Sequence, residues 1–546
     1  MTNTMMNFPL TLAPMLRRAV TLFPNVEVVS RMPDGSTRRH TYREINTRAH
    51  RLARGLLEVG LRQGERVATL MWNHGAHLES YFGIPLAGGV THTLNLRLPP
   101  QQLGYIAQHA EDRFLIVDDV LLPILQSFLA DAPFERIFVH RTCGNISHQF
   151  DDFEHLIRNA PDDLPLPELS EYDGAAMCYT SGTTGDPKGV IYSHRAIALH
   201  SMMVTAADSI ALSQNDTVLA LAPMFHANSW GIPFAATMVG AKQVLPGPKV
   251  DAESVLELCE SEQITFAYAV PTVWMAVCEA LEHSPHRWKL ASGLRVLIAG
   301  SAPSESLLRR LHAHGIHPFQ GWGLTETTPL ATMSLIPDRL ADLSIDEKYS
   351  LRCAQGTAVP YVEARVMNDA GEVPPDGKTM GEVQVRGPWI AASYFKMPTL
   401  GDKWTEDGWF RTGDVVTINE HGYIRIVDRT KDLIKSGGEW ISSVDLENAL
   451  LAHPAIKEAA VIAIPHAKWL ERPLAVMVTH DDIRPTPEEL NAMLLSKFAK
   501  WQLPDAYIFV DELPHTSTGK LLKSALRAQF SQPRAEARLQ KAEVGH

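Results

Sequence analysis

Short apolar runs that alternate with helical patterns constrain the fold of this sequence more than any other feature. The runs that read as buried strands lie at 66–72, 114–117, 217–221, 265–270 and 296–298. The helical patterns include an apolar stripe that follows a capping box, Thr41 to Glu44, which is typical of a helix start. Apolar strands between helices are typical of a largely parallel sheet with both faces covered. We therefore predict α/β layers as far as about residue 325.

The pattern changes near residue 360, where strand-like stretches follow one another with glycine-containing turns. These stretches lie at 363–367, 382–386, 415–418 and 423–427. They predict a β-rich subdomain at about 350–427. Helices and strands alternate again after Asp428, where a second capping box spans Thr486 to Glu489. We expect a large N-terminal domain over residues 1–427 and a small α+β domain over residues 428–546.

Composition is that of an ordinary globular protein and disfavours some partners. The 546 residues include 50 Lys and Arg against 62 Asp and Glu, and the net charge of −12 disfavours nucleic acid or an anionic membrane surface as the main partner. The five cysteines form no CxxC pair, so reduced thiols in a cytoplasmic protein are the simplest interpretation. No apolar run of the sequence reaches the length of about 18 residues that a membrane span needs.

The densest chemical signal is the segment 179–189, which follows the end of an apolar strand. Glycines let backbone amides approach an anion, hydroxyls donate to its oxygens, and a lysine adds positive charge, so the segment suits a polyphosphate. Its polar and glycine positions are Thr180, Ser181, Gly182, Thr183, Thr184, Gly185 and Lys188. Pro187 stands where a Walker A loop needs a second glycine. The alternative is a polar turn that binds nothing.

Two further segments combine glycine, aromatic and acidic residues. In 320–326, an aromatic ring between two glycines can stack on a purine, and Glu326 can hold Mg²⁺. In 407–414, a carboxylate on a glycine turn suits the paired hydroxyls of a ribose. The alternatives are a core tryptophan beside a turn in the first segment and a plain surface turn in the second.

Two charged segments lie beyond the predicted domain boundary. Residues 428–440 contain three cations and three acids before and around two glycines, and a solvated charged turn is the alternative interpretation there. Residues 515–522 present Lys520 from a polar glycine loop ahead of a helix, and the alternative is an ordinary loop lysine.

These five segments, in this order, resemble the acyl-adenylate-forming superfamily, which includes acyl-CoA synthetases, luciferase and peptide-synthetase adenylation domains. The resemblance covers essentially the whole chain. Within the superfamily the chain is most similar to soluble bacterial medium- and long-chain fatty acyl-CoA synthetases. Residues 223–230, 239–248 and 435–447 carry this finer resemblance.

The resemblance implies a first half-reaction in which a carboxylate attacks the α-phosphorus of ATP. It implies catalytic roles for Lys520, His226, Glu326 and Lys188, and Mg²⁺ held by Thr180 and Glu326. It implies nucleotide contacts from the 180–188 loop and from Ala227, Trp230, Gly300, Gln320, Gly321, Trp322, Thr325, Asp414, Lys431, Lys435 and Trp440. Many members of the superfamily have Tyr where this chain has Trp322, so a contact that needs the phenol hydroxyl is in doubt.

The resemblance also implies a second half-reaction, in which the thiol of coenzyme A attacks the adenylate. The small C-terminal domain is then mobile and swings about Asp428, which withdraws Lys520 and brings Gly437 and Gly438 to coenzyme A. Trp230 matches a position where related enzymes gate a fatty-acyl tunnel. A homodimer in the cytoplasm is the implied assembly and location.

Three other functions stay open at this point. The first is a CoA ligase for a short or functionalised acid, such as a methylthiopropionate- or aryl-type acid. The second is an adenylation module that loads a carrier protein, although the chain shows no appended carrier-like domain. The third, from a different class, is a fatty-acid binding or uptake protein without catalysis.

Overall fold

The computed structural model describes residues 4–143, 149–180, 186–397, 403–429, 432–436, 439–466, 468–480, 483–515 and 521–530, with the backbone alone at 439 and 440. The chain divides into two units. Unit one comprises Met1–Arg352, Gly356–Glu363 and Arg386–Phe410. Unit two comprises Cys353–Gln355, Ala364–Val385 and Arg411–His546.

Unit one alternates strands and helices along the chain. Its first part contains α1 (Ala13–Leu22), β1 (Glu27–Arg31), β2 (Thr37–Thr41), α2 (Tyr42–Glu58), β3 (Arg66–Leu70), α3 (Gly75–Leu86), β4 (Val90–Thr93), α4 (Pro100–Ala110), β5 (Asp112–Asp118), α5 (Leu122–Gln126), β6 (Arg136–His140), β7 (Asp151–Asp152) and α6 (Phe153–Arg158). Its second part contains β8 (Gly174–Tyr179), β9 (Gly189–Ser193), α7 (His194–Thr205), β10 (Thr217–Ala220), α8 (Ala227–Trp230), α9 (Ile232–Val239), β11 (Lys242–Leu245), α10 (Ala252–Ser261), β12 (Phe266–Ala269), α11 (Pro271–His283), β13 (Arg295–Ile298), α12 (Glu305–Ala313), β14 (His317–Gly323), β15 (Leu330–Ser334), α13 (Ile345–Arg352) and β16 (Thr357–Ala358).

The strands of unit one form two mostly parallel sheets. The seven-stranded sheet has the order β7-β6-β5-β3-β4-β8-β9, and the nine-stranded sheet has the order β16-β15-β14-β13-β12-β10-β11-β1-β2. Phe114, Leu115, Ile116 and Val117 of β5 are all fully buried, as expected for a strand with both faces covered. The five apolar runs predicted as strands are β3, β5, β10, β12 and β13, so the parallel α/β prediction is confirmed.

Local signals place the helix starts that the sequence predicts. The Thr41 hydroxyl accepts a hydrogen bond from the backbone N–H of Glu44, and the Glu44 carboxylate accepts one from the N–H of Thr41 at 2.7 Å. Thr486 and Glu489 form the same reciprocal pair at the start of a later helix. Both capping boxes are therefore confirmed. Among the described residues, no helix combines the length and the apolar character that crossing a membrane requires.

Unit two holds a β-rich part and an α+β part. Its elements are β17 (Glu363–Asn368), β18 (Gly371–Glu372), β19 (Gly381–Arg386), β20 (Phe410–Ile418), β21 (Ile424–Arg429), β22 (Ile434–Ser436), β23 (Glu439–Ile441), α14 (Ser443–Leu451), β24 (Ile456–His466), β25 (Leu470–Thr479), α15 (Pro487–Leu494), β26 (Ala506–Phe509) and α16 (Lys523–Phe530). The sheet β18-β17-β19-β20-β21 contains the four predicted strands of the β-rich subdomain. The predicted fold class is thus confirmed. The predicted boundary between 427 and 428 falls inside β21 and stays a prediction.

Alternate residues of β24 pack on opposite faces of its sheet, which has the order β23-β22-β25-β24 with β26 beside β25. Ala459 and Val461 join a core with residues of α14 and α15. Ala460 and Ile462 join a second core with Leu526 of α16. The three helices therefore cover both faces, and α16 alone among them lies on the second face.

Candidate functional site

The carboxyl ends of parallel strands carry most of the predicted residues of unit one. Strands β10, β12, β13 and β14 run parallel, so their ends lie at one edge of the nine-stranded sheet. The segment 223–230 follows β10, Gly300 follows β13, and Gln320 to Trp322 form the end of β14. The topology thus brings three separate predicted segments to one edge.

The two ends of the predicted polyphosphate loop are joined in the structure. The backbone N–H of Thr180 donates to the carbonyl of Lys188 at 2.9 Å. The N–H of Lys188 donates in return to the Thr180 hydroxyl at 3.2 Å. Thr180 follows β8 and Lys188 precedes β9, and these two strands pair antiparallel. The two ends of the segment are therefore held together where β8 and β9 pair.

Lys188 and Glu326 meet the same tyrosine. The Tyr394 hydroxyl donates to Oε1 of Glu326 at 2.6 Å, and Nζ of Lys188 lies 5.0 Å from the centre of the Tyr394 ring. The N–H of Ala391 donates to the Glu326 carbonyl at 2.8 Å. Burial, reinforced by the charge of Glu326, raises the pKa of Tyr394 well above its usual range. The phenol therefore stays a neutral donor that orients the carboxylate.

Tyr394 is a site residue that sequence reasoning missed. It belongs to none of the five segments and lies 68 positions from Glu326 in the chain. Its partner is identified only by the tertiary fold, so no sequence signal could have found it.

Strand β14 explains the glycines of the second segment. Gln320 pairs with Ile298 on one side and with Ser334 on the other. A Cβ on Gly323 would stand 1.5 Å from the carbonyl oxygen of Pro329. Glycine is therefore needed there for close backbone packing, independently of any ligand.

The remaining predicted residues of this segment lie beside the same strand end. Trp322 is buried. Thr325 begins a short 3₁₀ turn, and its carbonyl accepts a hydrogen bond from the Tyr192 hydroxyl at 2.7 Å. Tyr192 belongs to β9, so this bond links the end of β14 with the strand that follows the polyphosphate loop.

A left-handed turn ends the segment 223–230. Ala227, Asn228, Ser229 and Trp230 have φ values of 42°, 50°, 52° and 56°, so α8 is a left-handed turn of four non-glycine residues. For L-residues this conformation costs roughly 1–2 kcal/mol per residue. Gly231 continues it with a φ of 69°. Backbone strain of this size persists only where the surroundings impose it.

Hydrogen bonds from three elements hold this left-handed turn. The Ser229 hydroxyl donates to the carbonyl of Ala222 at 2.6 Å and lies 2.8 Å from the Tyr268 hydroxyl, which donates to it. The Cys178 thiol donates to Oδ1 of Asn228 at 3.3 Å. The turn directs the buried Trp230 ring to within 5.6 Å of the Tyr268 ring, measured between centroids.

The segment before the turn is fixed by Asn73. Its side-chain amide donates to the carbonyls of Ala220 and Ala222, and its Oδ1 accepts from the N–H of Met224 at 2.8 Å. His226 lies directly before the left-handed turn, is half-buried, and donates its N–H to the carbonyl of Pro223 at 3.0 Å. The backbone around His226 is thus held on both sides.

Unit two positions Asp414 and Lys435 on strands. Asp414 lies on β20 and is 3% exposed, and its Oδ1 is 3.4 Å from Nε of Arg429 on the paired strand β21. Lys435 lies on β22 with an exposed side chain, and its N–H donates to Oε2 of Glu471 at 2.8 Å. Both residues are thus held on paired strands of unit two.

The predicted hinge residue, Asp428, is 1% exposed on β21. Its Oδ2 accepts from the N–H and the hydroxyl of Ser443 at 2.8 and 2.5 Å. Burial raises the pKa of Asp428 above its usual value.

Several predicted residues lie outside the described residues. They are Ser181, Gly182, Thr183, Thr184, Gly185, Lys431, Gly437, Gly438 and Lys520, together with the side chain of Trp440. Their predicted roles stay predictions.

One other group of potential metal ligands occurs among the described residues of unit one. His74 Nε2 lies 2.8 Å from Oδ2 of Asp118, and His140 Nδ1 lies 2.9 Å from its Oδ1. However, Nδ1 of His74 accepts a hydrogen bond from the N–H of His77 at 3.4 Å. Nδ1 can accept this hydrogen bond only when the ring proton lies on Nε2, which then has no lone pair for a metal. This cluster is a hydrogen-bonded support for the start of α3.

Family models match both parts of the chain. The model described as AMP-binding enzyme matches residues 16–395. The model described as AMP-binding enzyme C-terminal domain matches residues 445–520.

Curated relatives match over nearly full length. A long-chain-fatty-acid–CoA ligase of Thermus thermophilus is 49% identical, with 97% of each chain covered. A medium-chain-fatty-acid–CoA ligase of Ectopseudomonas oleovorans is 42% identical, covering 97% of this chain and 98% of its own. A 3-methylmercaptopropionyl-CoA ligase of Ruegeria lacuscaerulensis is 40% identical, covering 97% and 99%. The solved structure of the anthranilate CoA ligase AuaEII with anthranoyl-AMP superposes with a TM-score of 0.85 at 27% identity, covering 97% and 99%.

Proposed function

Because the chain belongs to the AMP-binding enzyme family, we propose that it is a fatty acyl-CoA synthetase. It joins a medium- or long-chain fatty acid to coenzyme A while ATP is cleaved to AMP and diphosphate, through an acyl-adenylate. The two fatty-acid–CoA ligases at 49% and 42% identity support this acyl class. The observation that carries the proposal is the convergence of Lys188 and Glu326 on Tyr394, at the end of β14.

The first half-reaction requires that a carboxylate approach a triphosphate of the same charge sign. Lys188, the amides of the 180–188 loop and Lys520 offset this repulsion in the proposed mechanism. The protein contributes positioning and electrostatic stabilisation to this step, because the bond that forms and the bond that breaks both belong to the reactants. The hydrogen bonds between Thr180 and Lys188 hold the two ends of this segment together, which supports its proposed role in binding an anion.

The proposed Mg²⁺ ligands fit the ion chemically. Thr180 and Glu326 supply oxygen atoms, which Mg²⁺ prefers. Tyr394 occupies Oε1 of Glu326, so Oε2 is the oxygen assigned to the ion. When bound, Mg²⁺ neutralises charge on the triphosphate and on the departing diphosphate. Tyr394 holds the carboxylate in one orientation for that purpose.

We assign the adenylate to the strand-end edge of unit one and the ribose hydroxyls to Asp414. The proposed adenylate contacts are Ala227, Gly300, Gln320, Gly321, Trp322 and Thr325. Lys431, Lys435 and Trp440 are proposed further nucleotide contacts. His226 orients the acid or its adenylate. The buried, Arg429-paired carboxylate of Asp414 supports a fixed acceptor for hydroxyl donors.

The second half-reaction uses the small mobile domain. In the proposal this domain, residues 428–546, turns about Asp428, so that Lys520 leaves and Gly437 and Gly438 meet coenzyme A. The side chain of Asp428 is hydrogen-bonded to Ser443, which belongs to the same predicted domain. This bond supports a rotation in which the backbone dihedral angles change just before Asp428.

Trp230 is the proposed gate of the acyl site. An apolar tunnel stabilises a chain by about 0.8 kcal/mol per buried methylene, or roughly fourfold in affinity, so tunnel depth sets chain-length preference. The contact between Trp230 and Tyr268, imposed by the strained turn, supports a defined closed position of the indole.

The second candidate is a CoA ligase for a short or functionalised acid. The relative at 40% identity, a 3-methylmercaptopropionyl-CoA ligase, favours it, as does the structural match to an anthranilate CoA ligase. A functionalised acid carries a polar or aromatic group in place of the long alkyl chain, so the acyl pocket decides between the two candidates.

An acid panel tests the proposal. The purified chain is incubated with ATP, Mg²⁺, coenzyme A and one of butyrate, octanoate, palmitate, 3-(methylthio)propionate or benzoate, and AMP release is measured. We expect kcat/KM to be highest for octanoate or palmitate. A maximum at methylthiopropionate or benzoate selects the second candidate. AMP release with none of the acids argues against a CoA ligase, and ATP–pyrophosphate exchange then distinguishes an adenylation module from a binding or uptake protein.

The proposed enzyme works as a cytoplasmic homodimer. These two properties rest on the resemblance alone, and sedimentation velocity of the purified chain tests the dimer.

A further inference from the structure

One short turn of unit one connects the two residues that the proposed mechanism places around the triphosphate, Lys188 and Glu326. At the start of the turn, the Tyr394 hydroxyl donates to Oε1 of Glu326 at 2.6 Å, and the ring centre lies 5.0 Å from Nζ of Lys188. The backbone N–H of the next residue, Phe395, donates to the carbonyl of Gly189 at 2.8 Å. Gly189 directly follows the lysine. The turn therefore contacts both the carboxylate and the strand beside the lysine.

The turn begins at Tyr394 and ends at Met397, whose N–H donates to the Tyr394 carbonyl at 3.1 Å. Between them, Lys396 has a φ of 57°. A non-glycine residue rarely has a positive φ unless its surroundings impose it. Nζ of Lys396 donates to the carbonyl of His109 at 2.9 Å and lies 2.7 Å from Oε1 of Glu111. Contacts at the end of α4 therefore help to hold the turn in this conformation.

The Phe395 ring anchors the turn in a small apolar cluster. The buried side chains of this cluster are Val90, Ala110 and Met177. The Arg66 guanidinium lies 5.6 Å from the Phe395 ring centre, and the His109 ring stands edge-on at 5.8 Å. Both arrangements are favourable contacts for an aromatic ring. Phe395 is therefore a firmer anchor than Lys396, whose ion pair is exposed and for that reason weak.

The Tyr394 ring is restrained by a second aromatic contact. It is 7% exposed and meets the Trp404 ring at 5.1 Å between centroids, with 74° between the ring planes. Nε1 of Trp404 donates in turn to the carbonyl of Ala391 at 2.8 Å. Trp404 restrains the phenol ring and Phe395 restrains the backbone that follows it. Together they define the position from which the Tyr394 hydroxyl donates to Glu326.

We propose that Phe395 is a positioning residue for adenylation. Its ring holds the turn, the turn places the Tyr394 hydroxyl, and that hydroxyl orients the Glu326 carboxylate for Mg²⁺. The inference rests on the proposed function, because it requires Glu326 to act in adenylation. The Phe395 side chain touches no substrate in this scheme and acts only through Tyr394.

The first test compares the two half-reactions in the full-length chain. Adenylation of the best acid of the panel is measured by ATP–pyrophosphate exchange. We expect Phe395→Ala to lower kcat about tenfold, the loss expected when the hydrogen bond from Tyr394 to Glu326 is no longer made. KM for the acid, and thioester formation from a supplied acyl-adenylate, should change by less than about threefold, because neither depends on Glu326 in the proposal.

A double-mutant cycle shows whether Phe395 acts through Tyr394. Tyr394→Phe removes the hydroxyl and keeps the ring. We expect Phe395→Ala to lower kcat about tenfold in the parent but less than about twofold when Tyr394 is already replaced, because the hydrogen bond that it disturbs is then absent. A tenfold loss in both backgrounds would make the two effects additive and would overturn the inference.

A binding measurement tests the same orientation without turnover. Isothermal titration calorimetry, with no acid present, gives Kd for ATP in Mg²⁺ and in EDTA. Phe395→Ala and Tyr394→Phe should each reduce the ratio of these two Kd values about threefold, because the Glu326 carboxylate is no longer held for the ion. A ratio that Phe395→Ala leaves unchanged would also overturn the inference.

Phe134→Ala is the matched control. Phe134 is likewise a partly buried phenylalanine of unit one, but it packs against a different core, with its ring 6.4 Å from that of Phe128. We expect Tm to fall about as much as in Phe395→Ala, while kcat and the ratio of Kd values stay within about twofold of the parent. A loss of kcat in Phe395→Ala no larger than in this control contradicts a positioning role.

If Phe395→Ala does not fold, Phe395→Leu takes its place. Leucine keeps apolar contact with the cluster but loses the aromatic contacts with Arg66 and His109. About a threefold loss of kcat is then expected, again absent when Tyr394 is already replaced by Phe. An unchanged kcat in Phe395→Leu overturns the inference.

Glu326→Gln separates failure of this inference from failure of the proposed function. If Glu326→Gln loses adenylation while Phe395→Ala keeps it, only the inference fails. If Glu326→Gln keeps both adenylation and its Mg²⁺ dependence, the proposed role of Glu326 fails and the inference with it.

Discussion

Unit one holds its predicted residues at strand ends, whereas unit two holds the predicted hinge in a buried ion network. In unit one, Gly300 and Gln320 to Trp322 are placed by parallel strands and their hydrogen bonds. In unit two, Asp428 is placed by Ser443 and Lys523, which belong to two different helices. The sheet edge places residues through strand pairing, whereas the network places Asp428 through contacts between side chains of different elements.

The two units also differ in the energetic cost that their hydrogen bonds and ion pairs offset. In unit one the cost is backbone strain in the left-handed turn, roughly 1–2 kcal/mol per residue. The hydrogen bond that Ser229 donates and the one that Asn228 accepts from Cys178 offset it. In unit two the cost is desolvation of Lys523, and Glu447 offsets it. In the proposed mechanism, unit-one residues of the acyl site act in both half-reactions, whereas Lys520 of unit two acts in adenylation alone.

The largest expected effect is that of Lys520→Ala. Adenylation should fall by about 10³-fold, because the cation that bridges the two anionic reactants is lost. Thioester formation from a supplied acyl-adenylate should stay largely intact. ATP–pyrophosphate exchange and single-turnover thioester assays measure the two. An equal loss in both half-reactions would contradict the expectation that Lys520 of unit two acts in adenylation alone.

The next effect is that of Glu326→Gln in unit one. Removing the carboxylate charge should lower adenylation by about 10²-fold and raise the Mg²⁺ concentration needed for half-maximal rate. Tyr394→Phe is the matched control, since it keeps the charge and removes only the orienting hydrogen bond, and about a tenfold loss is expected. An unchanged Mg²⁺ dependence in Glu326→Gln would exclude this carboxylate as a metal ligand.

A smaller effect is expected for Trp230→Ala. Loss of the gate should change KM by about tenfold, unequally for butyrate, octanoate and palmitate, and the same ranking should appear in both half-reactions. Trp288→Ala, at a partly exposed tryptophan beside Arg287, is the control and should leave the ranking unchanged. A KM profile that Trp230→Ala does not alter would remove this residue from the gate.

The smallest effect concerns stability and His200, which is 1% exposed in unit one. Burial lowers the pKa of His200 to about 3, whereas an unfolded imidazole titrates near about 6.5. The unfolded chain therefore binds more protons between these values, so the free energy of unfolding falls as pH falls below about 6.5, by at most about 1.4 kcal/mol per pH unit.

Urea unfolding between pH 5 and 7 covers the upper part of the interval, roughly pH 3–6.5, in which His200 affects the free energy of unfolding. Replacing His200 by Gln should reduce the slope measured there. The exposed Met202 of the same helix supplies a control variant without a titratable group, Met202→Gln, whose slope should match the parent. A slope that is the same in all three proteins would contradict a neutral, desolvated His200.

The sequence predicts the parts of this fold that depend on local patterns. The capping boxes at Thr41 and Thr486 and the strands β3, β5, β10, β12 and β13 follow from hydrogen-bonding side chains and apolar runs, which are properties of neighbouring residues. The left-handed turn could not be predicted, because only Asn228 among its four residues favours positive φ and the turn is held by the distant residues Cys178 and Tyr268.

Tertiary partners account for what sequence reasoning missed in the site. Tyr394 meets Glu326, and Lys523 meets Glu447, only after distant segments have folded together. A solvated charged turn is the alternative interpretation of segment 428–440, but Asp428 in that segment is buried and hydrogen-bonded to Ser443. Lys523, which lies just beyond segment 515–522, also contacts Ser443.

The most direct measurement is a crystal structure of the chain with a non-hydrolysable analogue of the acyl-adenylate. We predict that the adenine lies against Gly300 and Gln320 to Trp322, that the ribose hydroxyls meet Asp414, and that the phosphate group faces Thr180. A nucleotide bound with Thr180, Trp322 and Asp414 all outside contact distance would contradict the proposed convergence of these segments on one acyl-adenylate.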